Sequence, residues 1–298
     1  MLQNWSVRIG GSALLLLLVL ALGAPWLGTV DPTLFDAASR DLRPGAAGEI
    51  TTLEGDSVKH VFLMGSDSFG RDIYSRVLYG TRVSLVVGLA SALVALVFGV
   101  VCGLGAGYLR WLDGPVMRVM DGVMAIPAIL IAIAVVALWR ASLPTVIVAI
   151  AIPEIPRVTR LVRSLVLSIR EEPYVEAAVA LGTPTGKIMF GHILPNTIAP
   201  LLVQGTYICA FAILLESILS FLGVGVQPPN TSWGTMVGDG FDLITSSPLL
   251  TVIPGAMLLL TVLSVNVFAD GLRDALDPKA KLRLEAHAGI AEPEGTPV

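Results

Sequence analysis

The hydrophobic positions of this chain gather into five long runs and a sixth that is interrupted, with polar segments between them. A helix needs roughly 20 apolar residues to cross the hydrocarbon of a bilayer. Five runs meet that need: Ile9–Val30, Val83–Leu109, Val116–Trp139, Thr197–Leu222 and Leu249–Ala269. The interrupted run begins near Pro144 and is broken by Glu154 and Arg157. Backbone N–H and C=O groups find no water in lipid, so each run is expected to be a helix, not an open strand. The pattern predicts an all-α polytopic membrane protein with six transmembrane helices. The first run, with Arg8 ahead of it, also fits a signal peptide cleaved near Ala21-Leu22-Gly23. Its apolar stretch continues through Pro25-Trp26-Leu27, long for a leader, which favours a retained anchor.

Six spans put both termini on one side. With that side cytoplasmic, 12 of the 19 Lys and Arg fall in cytoplasmic segments. Six of the other seven sit in one long outer segment, Asp31–Arg82, where the positive-inside bias is weak. Both termini are therefore expected in the cytoplasm. The chain divides into a first transmembrane helix (1–30), an extracytoplasmic segment (31–81), a core of five transmembrane helices (82–274) and a cytoplasmic tail (275–298). The outer segment carries eight acids and six bases and is expected to fold back on the membrane surface. Leu284–Val298 has little apolar content and reads as a disordered tail.

Composition excludes the soluble alternatives. Hydrophobic residues make up 54% and charged residues 14% of 298, against about 25% charged in soluble domains. One water-soluble core could not hide that much apolar surface. The net charge of −4 gives no general attraction to nucleic acid. Cys102 and Cys209 lie within apolar runs and read as buried thiols. The 30 glycines suit close helix packing in lipid. Gly103-Leu104-Gly105-Ala106-Gly107, inside a run and not after a strand, is read that way too, not as a nucleotide site.

The connection between the fourth and fifth runs, residues 169–196, is the longest on the cytoplasmic side. Pro173 suits the first turn of a helix, Glu172 and Glu176 complement its dipole, and Gly182 is placed to end it in a left-handed conformation. Thr183 then offers a cap and Pro184 a first-turn residue for a second helix ending at Pro195. The spacing thus predicts a stand-alone helix of about eight residues. Isolated helices that short are marginal in water, so this one requires a partner, and the chain itself is expected to offer it no large cytosolic surface.

Glu176-Ala177-Ala178, then Gly182, then Leu194-Pro195 resembles the EAA loop of binding-protein-dependent ABC importer permeases. His192 stands where the family commonly has Ile, and His192-Ile193-Leu194-Pro195-Asn196 resembles the dipeptide/oligopeptide/nickel branch. Gly65–Asp72, Tyr79–Leu85, Leu219–Pro229 and Asp270–Pro278 are similar to the C-type subunit of that branch. The resemblance implies a type I importer permease in the bacterial cytoplasmic (inner) membrane, without enzyme activity or cofactor of its own. Its implied partners are a homologous B-type permease, two ATPase subunits and an extracytoplasmic solute-binding protein. Residues 173–182 become the ATPase-coupling helix, with Tyr174, Glu176, Ala177, Ala178 and Gly182 at the contact. The implied solutes are peptides or related small molecules.

The remaining candidates are charges inside spans, which are costly and mark function by default: Asp121, Glu154, Glu216 and Asp270. Glu154 and Arg157, three apart on one helical face, can simply pair. Glu216, two turns before the end of its run, fits a pathway or gate as well as it fits a hydrogen-bonded packing acid. Gly182–Ile188 superficially resembles a phosphate-binding loop, but only three residues separate its glycines and Ile188 stands where Ser or Thr would meet magnesium. No His/Cys/carboxylate cluster has metal-ligand spacing, and no nucleophile elbow is visible. The alternatives are a proton-coupled secondary transporter acting alone through Glu154 or Glu216, and a membrane assembly protein that moves no solute.

Overall fold

The computed structural model describes residues 5–51 and 57–276. The expectations for the tail, with Lys279, Lys281, Arg283 and His287, lie outside the described residues.

The chain is mostly helical. Its elements are α1 (Trp5–Gly23), β1 (Ala46–Thr51), β2 (Ser57–Phe62), α2 (Ile73–Tyr108), α3 (Arg110–Met124), α4 (Ala128–Leu138), α5 (Leu143–Ala151) and α6 (Ile155–Ile169). Then come α7 (Pro173–Ala180), α8 (Thr185–Ile188), α9 (Leu194–Phe221), α10 (Trp233–Phe241) and α11 (Leu249–Leu276). Among the described residues, four continuous helical stretches are long and apolar enough to span a bilayer: Trp5–Trp26, Ile73–Tyr108, Thr185–Phe221 and Leu249–Leu276. The pair α3 and α4 passes jointly but is bent by 90°. By length and composition the count is thus four or five where the sequence suggested six. The third run breaks because Pro127 offers no N–H and biases Ile126 away from the helical region. The fourth is carried by α5 and α6 through a tight helical turn at Ile152–Glu154 that contains Pro153, with Pro156 just after it.

Two elements escaped the hydrophobic pattern. The segment before α2 holds an antiparallel hairpin, β1 with β2, in register from Ala46 opposite Phe62 to Thr51 opposite Ser57. The second is α10, within the expected loop 223–248. It opens on a reciprocal cap in which Ser232 and Thr235 bond each other's backbone N–H, an arrangement that satisfies two of the donors left over at a helix start. Its Trp233 is fully buried and donates from Nε1 to the Val77 carbonyl at 3.1 Å.

The seam between α2 and α6 is built from small against branched residues. Gly99, Gly103 and Gly107 face Val158, Val162 and Val166 in order, and a Cβ at Gly103 or Gly107 would meet its valine Cβ at 2.6 Å. Without side chains there, the two backbones approach closely enough for dispersion contacts to hold them in lipid. Gly10 of α1 likewise receives Phe268 of α11.

Candidate functional site

Residues 169–196 form a small platform where α6 ends and α9 begins. α7 starts on Pro173, with Glu172 extended ahead of it and Glu176 exposed in its first turn. It ends at Gly182, whose φ is +74°. The Gly182 N–H donates to the Val179 carbonyl at 2.9 Å and the Thr183 N–H to the Ala178 carbonyl at 3.0 Å. That is the doubly bonded left-handed helix end that glycine permits and other residues resist.

Val175 and Ala178 point inward and are buried. Val175 joins the cluster of Val166 on α6 with Ile188 and Ile193 beyond, so this chain does provide the short helix with a seat, contrary to the expectation. Val166 precedes α7 and Ile188 and Ile193 follow it, and only the fold brings them together under α7. Facing outward are Tyr174, Glu176, Ala177, Val179 and Leu181, the last 86% exposed. The Tyr174 phenol oxygen accepts from Asn196 Nδ2 at 3.1 Å, and that amide also donates to the His192 carbonyl at 2.7 Å. Of the five residues singled out by sequence, Tyr174, Glu176, Ala177 and Gly182 share the exposed side, while Ala178 turns into its own chain.

The second helix of the loop does not end at Pro195. α8 starts after Pro184, with no side-chain cap from Thr183, and passes through a π turn at Met189–Ile193 straight into α9. Pro195 sits in the first turn of α9, where its missing N–H costs nothing.

The charges within spans divide into ion pairs and carboxyls held by hydroxyl groups. Glu154, buried, accepts from Arg157 Nη1 at 2.9 and 3.2 Å, and the Arg157 guanidinium lies 5.4 Å from the centre of the Phe211 ring. Asp121 accepts from Arg160 Nη2 at 2.6 Å, and Asp113 receives both Nε and Nη2 of Arg163. Glu216 is wholly enclosed. Its Oε1 accepts from the Ser220 hydroxyl at 2.7 Å, whose oxygen accepts the Val226 N–H at 2.9 Å. Asp270 accepts from the Tyr207 hydroxyl at 2.7 Å. Glu154 and Glu216 are therefore held by separate partners and are not drawn into one site.

At the hairpin end lies a cluster that sequence reading missed. Asp67 Oδ2 accepts from Arg71 and Arg76, and Asp239 Oδ2 accepts from the same two arginines at 2.7 and 3.0 Å. It ties α10 to the start of α2 and borders a cavity of about 670 Å³ that Phe35, Phe69 and Phe221 also line. Asp67 is four residues from Arg71, but Asp239 lies more than 160 residues from both arginines, so no local spacing announces its part in the cluster.

Residues 95–282 match the family described as binding-protein-dependent transport system inner membrane component. A Sinorhizobium fredii protein named probable peptide ABC transporter permease protein y4tQ is 47% identical over 277 residues, 93% of this chain and 90% of its own length. A Pseudomonas aeruginosa protein named di/tripeptide transport system permease protein DppC is 42% identical, over 92% of this chain and 88% of its own. Among solved structures, the inward-facing MetNI methionine ABC transporter contains a chain that superposes with a TM-score of 0.57 at 18% identity, covering 69% of this chain and 98% of that one. That likeness carries the fold alone. The family match and both relatives span the platform, α6 and the α2–α6 seam together, and the chain belongs to the inner membrane components of binding-protein-dependent transport systems.

Proposed function

We propose that this chain is a permease subunit of an ATP-driven importer for peptides or related small solutes, lying in a bacterial inner membrane with both termini in the cytoplasm. It shares the solute path with a homologous permease of the B type, stands on two ATPase subunits and receives solute from an extracytoplasmic binding protein. The peptide assignment is supported by the relatives from S. fredii and P. aeruginosa, and a Pectobacterium atrosepticum relative named for glutathione transport keeps the solute peptidic.

One observation carries the coupling role: α7 is keyed into its own chain by Val175 and Ala178 and presents Tyr174, Glu176, Ala177 and Leu181 outward. A push by closing ATPases on that outward face passes through Val175 to α6 and through α8 into α9. Rigid elements displaced together need no chemistry in the permease. The bias between states comes from the contacts the ATPases make with α7 in each. Hydrolysis belongs to the partners. The 31–81 segment, with its hairpin, belongs to the receiving side.

The test is Glu176→Lys and Gly182→Pro in the complete transporter. Proline cannot take φ +74°, and the lysine reverses the exposed charge at the helix start. Both variants are expected to insert in the membrane while losing ATPase co-purification and solute-driven ATP hydrolysis. Normal solute-stimulated hydrolysis in both would remove α7 from the coupling role.

A further inference from the structure

α6 is amphipathic where a membrane helix facing lipid has no reason to be. Its buried stripe is Val158, Thr159, Val162 and Val166, and its exposed stripe is Arg157, Arg160, Ser164 and Ser168, all polar. The backbone from Leu143 to Ile169 keeps helical dihedrals through the Ile152–Glu154 turn and is roughly 40 Å long at the helical rise. Arg157 therefore stands near its midpoint, within the span and not in the cytoplasmic segments to which the sequence pattern assigned it with Arg160 and Arg163. The Arg157 side chain is 50% exposed and that of Arg160 45%, with Asp121 of α3 at 60%. The faces that other spans expose are of the opposite kind: Leu89, Leu93, Val97, Phe98 and Val101 on α2, and Val252, Leu259, Leu260 and Leu263 on α11.

Half-exposed charges at that depth are not left against hydrocarbon. They face the interior of an assembly or a water-filled space. Two further features select water. The exposed stripe continues in two serines, not in apolar residues that a packed partner helix would need. And Arg160 spends one Nη2 hydrogen bond on Asp121, leaving outward donors of a group that carries five. The face also carries ion pairs: Arg157 with Glu154, Arg160 with Asp121 and Arg163 with Asp113, beside the exposed Arg110 and Arg118 of α3. Each such pair offers one partner of either sign. It suits a solute that carries one charge of each sign.

We propose that the α3–α6 face is a wall of the aqueous solute path and that its ion pairs are exchange sites for zwitterions. A solute carboxylate takes the place of Asp121 on Arg160 while the solute ammonium takes the place of Arg160 on Asp121, and the pair closes again behind it. Each site opens one ion pair, forms two with the solute and recloses its own when the solute moves on, so the solute moves along the wall without shedding its charges into an apolar medium. The solute identity rests on the peptide reading; the wetness of the wall does not.

The experiment uses the complete transporter in membrane vesicles, with Cys102 and Cys209 replaced by serine and alanine, and a sulfonate-bearing thiol reagent. Ser164→Cys removes no charge and Arg160→Cys removes one; Leu93→Cys and Leu259→Cys report the lipid side. Thiolates react and apolar surroundings suppress them, so labelling at 164 and 160 is expected to be at least about ten-fold faster than at 93 and 259. Rates at 164 equal to the lipid-side controls overturn the wall. So does labelling that is slow in the complete transporter and fast without the second permease, which assigns the face to a permease–permease seam. For the exchange, Arg160→Gln is expected to slow a dipeptide with free ends more than its N-acetylated, C-amidated analogue. Equal slowing, or equal wild-type transport of both, overturns it. If wild-type vesicles carry neither, the peptide reading fails, and the labelling rates still decide the wall.

Discussion

A Cβ at Gly103 would lie 2.6 Å from Val162 Cβ and 2.8 Å from the Thr159 carbonyl oxygen, whereas one at Gly114 meets nothing within 4 Å. The two glycines are alike in sequence and opposite in consequence. Gly103→Ala forces α2 and α6 apart, an overpacking cost of about 1–3 kcal/mol, while Gly114→Ala is expected to hold or raise stability because alanine is the better helix former. Thermal unfolding of the detergent-solubilised protein, with the two variants side by side, checks the contrast. The run Gly103–Gly107 was legible as a packing device because its glycines cluster, while Gly99 stands alone among apolar residues; the valines that Gly99, Gly103 and Gly107 receive lie more than 50 residues away. The same rule divides the charges. Glu154 with Arg157 could be read from a spacing of three, while Asp121 with Arg160 and Asp113 with Arg163 lie 39 and 50 residues apart and become pairs only once α3 packs on α6.

Among the elements, helices with a full apolar run or a strong local stop were the readable ones. α7 is the clearest: proline at its start, glycine at its end, and eight residues between them as anticipated. The hairpin was not readable, because Ile50 and Phe62 are its only buried hydrophobic residues among twelve strand positions, too few to set a period of two. What fastens its first strand is polar. Asp36 Oδ1 accepts the Ala38 N–H and Oδ2 the Thr51 hydroxyl, both at 2.8 Å. The Ala38 N–H first, and Thr51 after it, hold the Asp36 carboxyl below the usual carboxylate range. A carboxylate favoured in the folded state stabilises fully above its unfolded pKa, about 4, and loses that contribution as pH falls through the lower folded value. Amide protection at Thr51 is expected to drop below about pH 4, and Asp36→Asn to remove that pH dependence. Unchanged protection across the interval would show that Asp36 does not fasten the strand.

For the whole molecule, hydropathy picked out the four continuous apolar helices, each of them partly buried against its neighbours. It found α5 with α6 only as an interrupted run, because the polar stripe of α6 lowers the average, and could not see that α3 and α4 turn by 90°. It was also silent about the rim beside the hairpin, where one carboxylate oxygen of Asp67 and one of Asp239 hold Arg71 and Arg76 together. Asp67 is 3% exposed and Asp239 35%. Breaking a buried pair by removing one partner costs about 3–5 kcal/mol, so Asp67→Asn is expected to lower the unfolding temperature far more than Asp239→Asn. The milder variant should still release α10 from α2, read as faster proteolysis within residues 223–248. Equal effects would mean that the rim is held by packing and not by its charges.

The α2–α6 seam has a mechanical corollary. Notches at every fourth residue on one helix receive teeth at every fourth residue on the other, so a slip of one to three residues drives a valine into a position that has a side chain. The next free setting is four residues on, about 6 Å away. Between those settings the seam has no resting place, and packed interfaces of this kind switch and do not stretch. α2 and α6 therefore travel as a single plank, carrying the charged wall with them, and the give falls at the right-angled joint between α3 and α4.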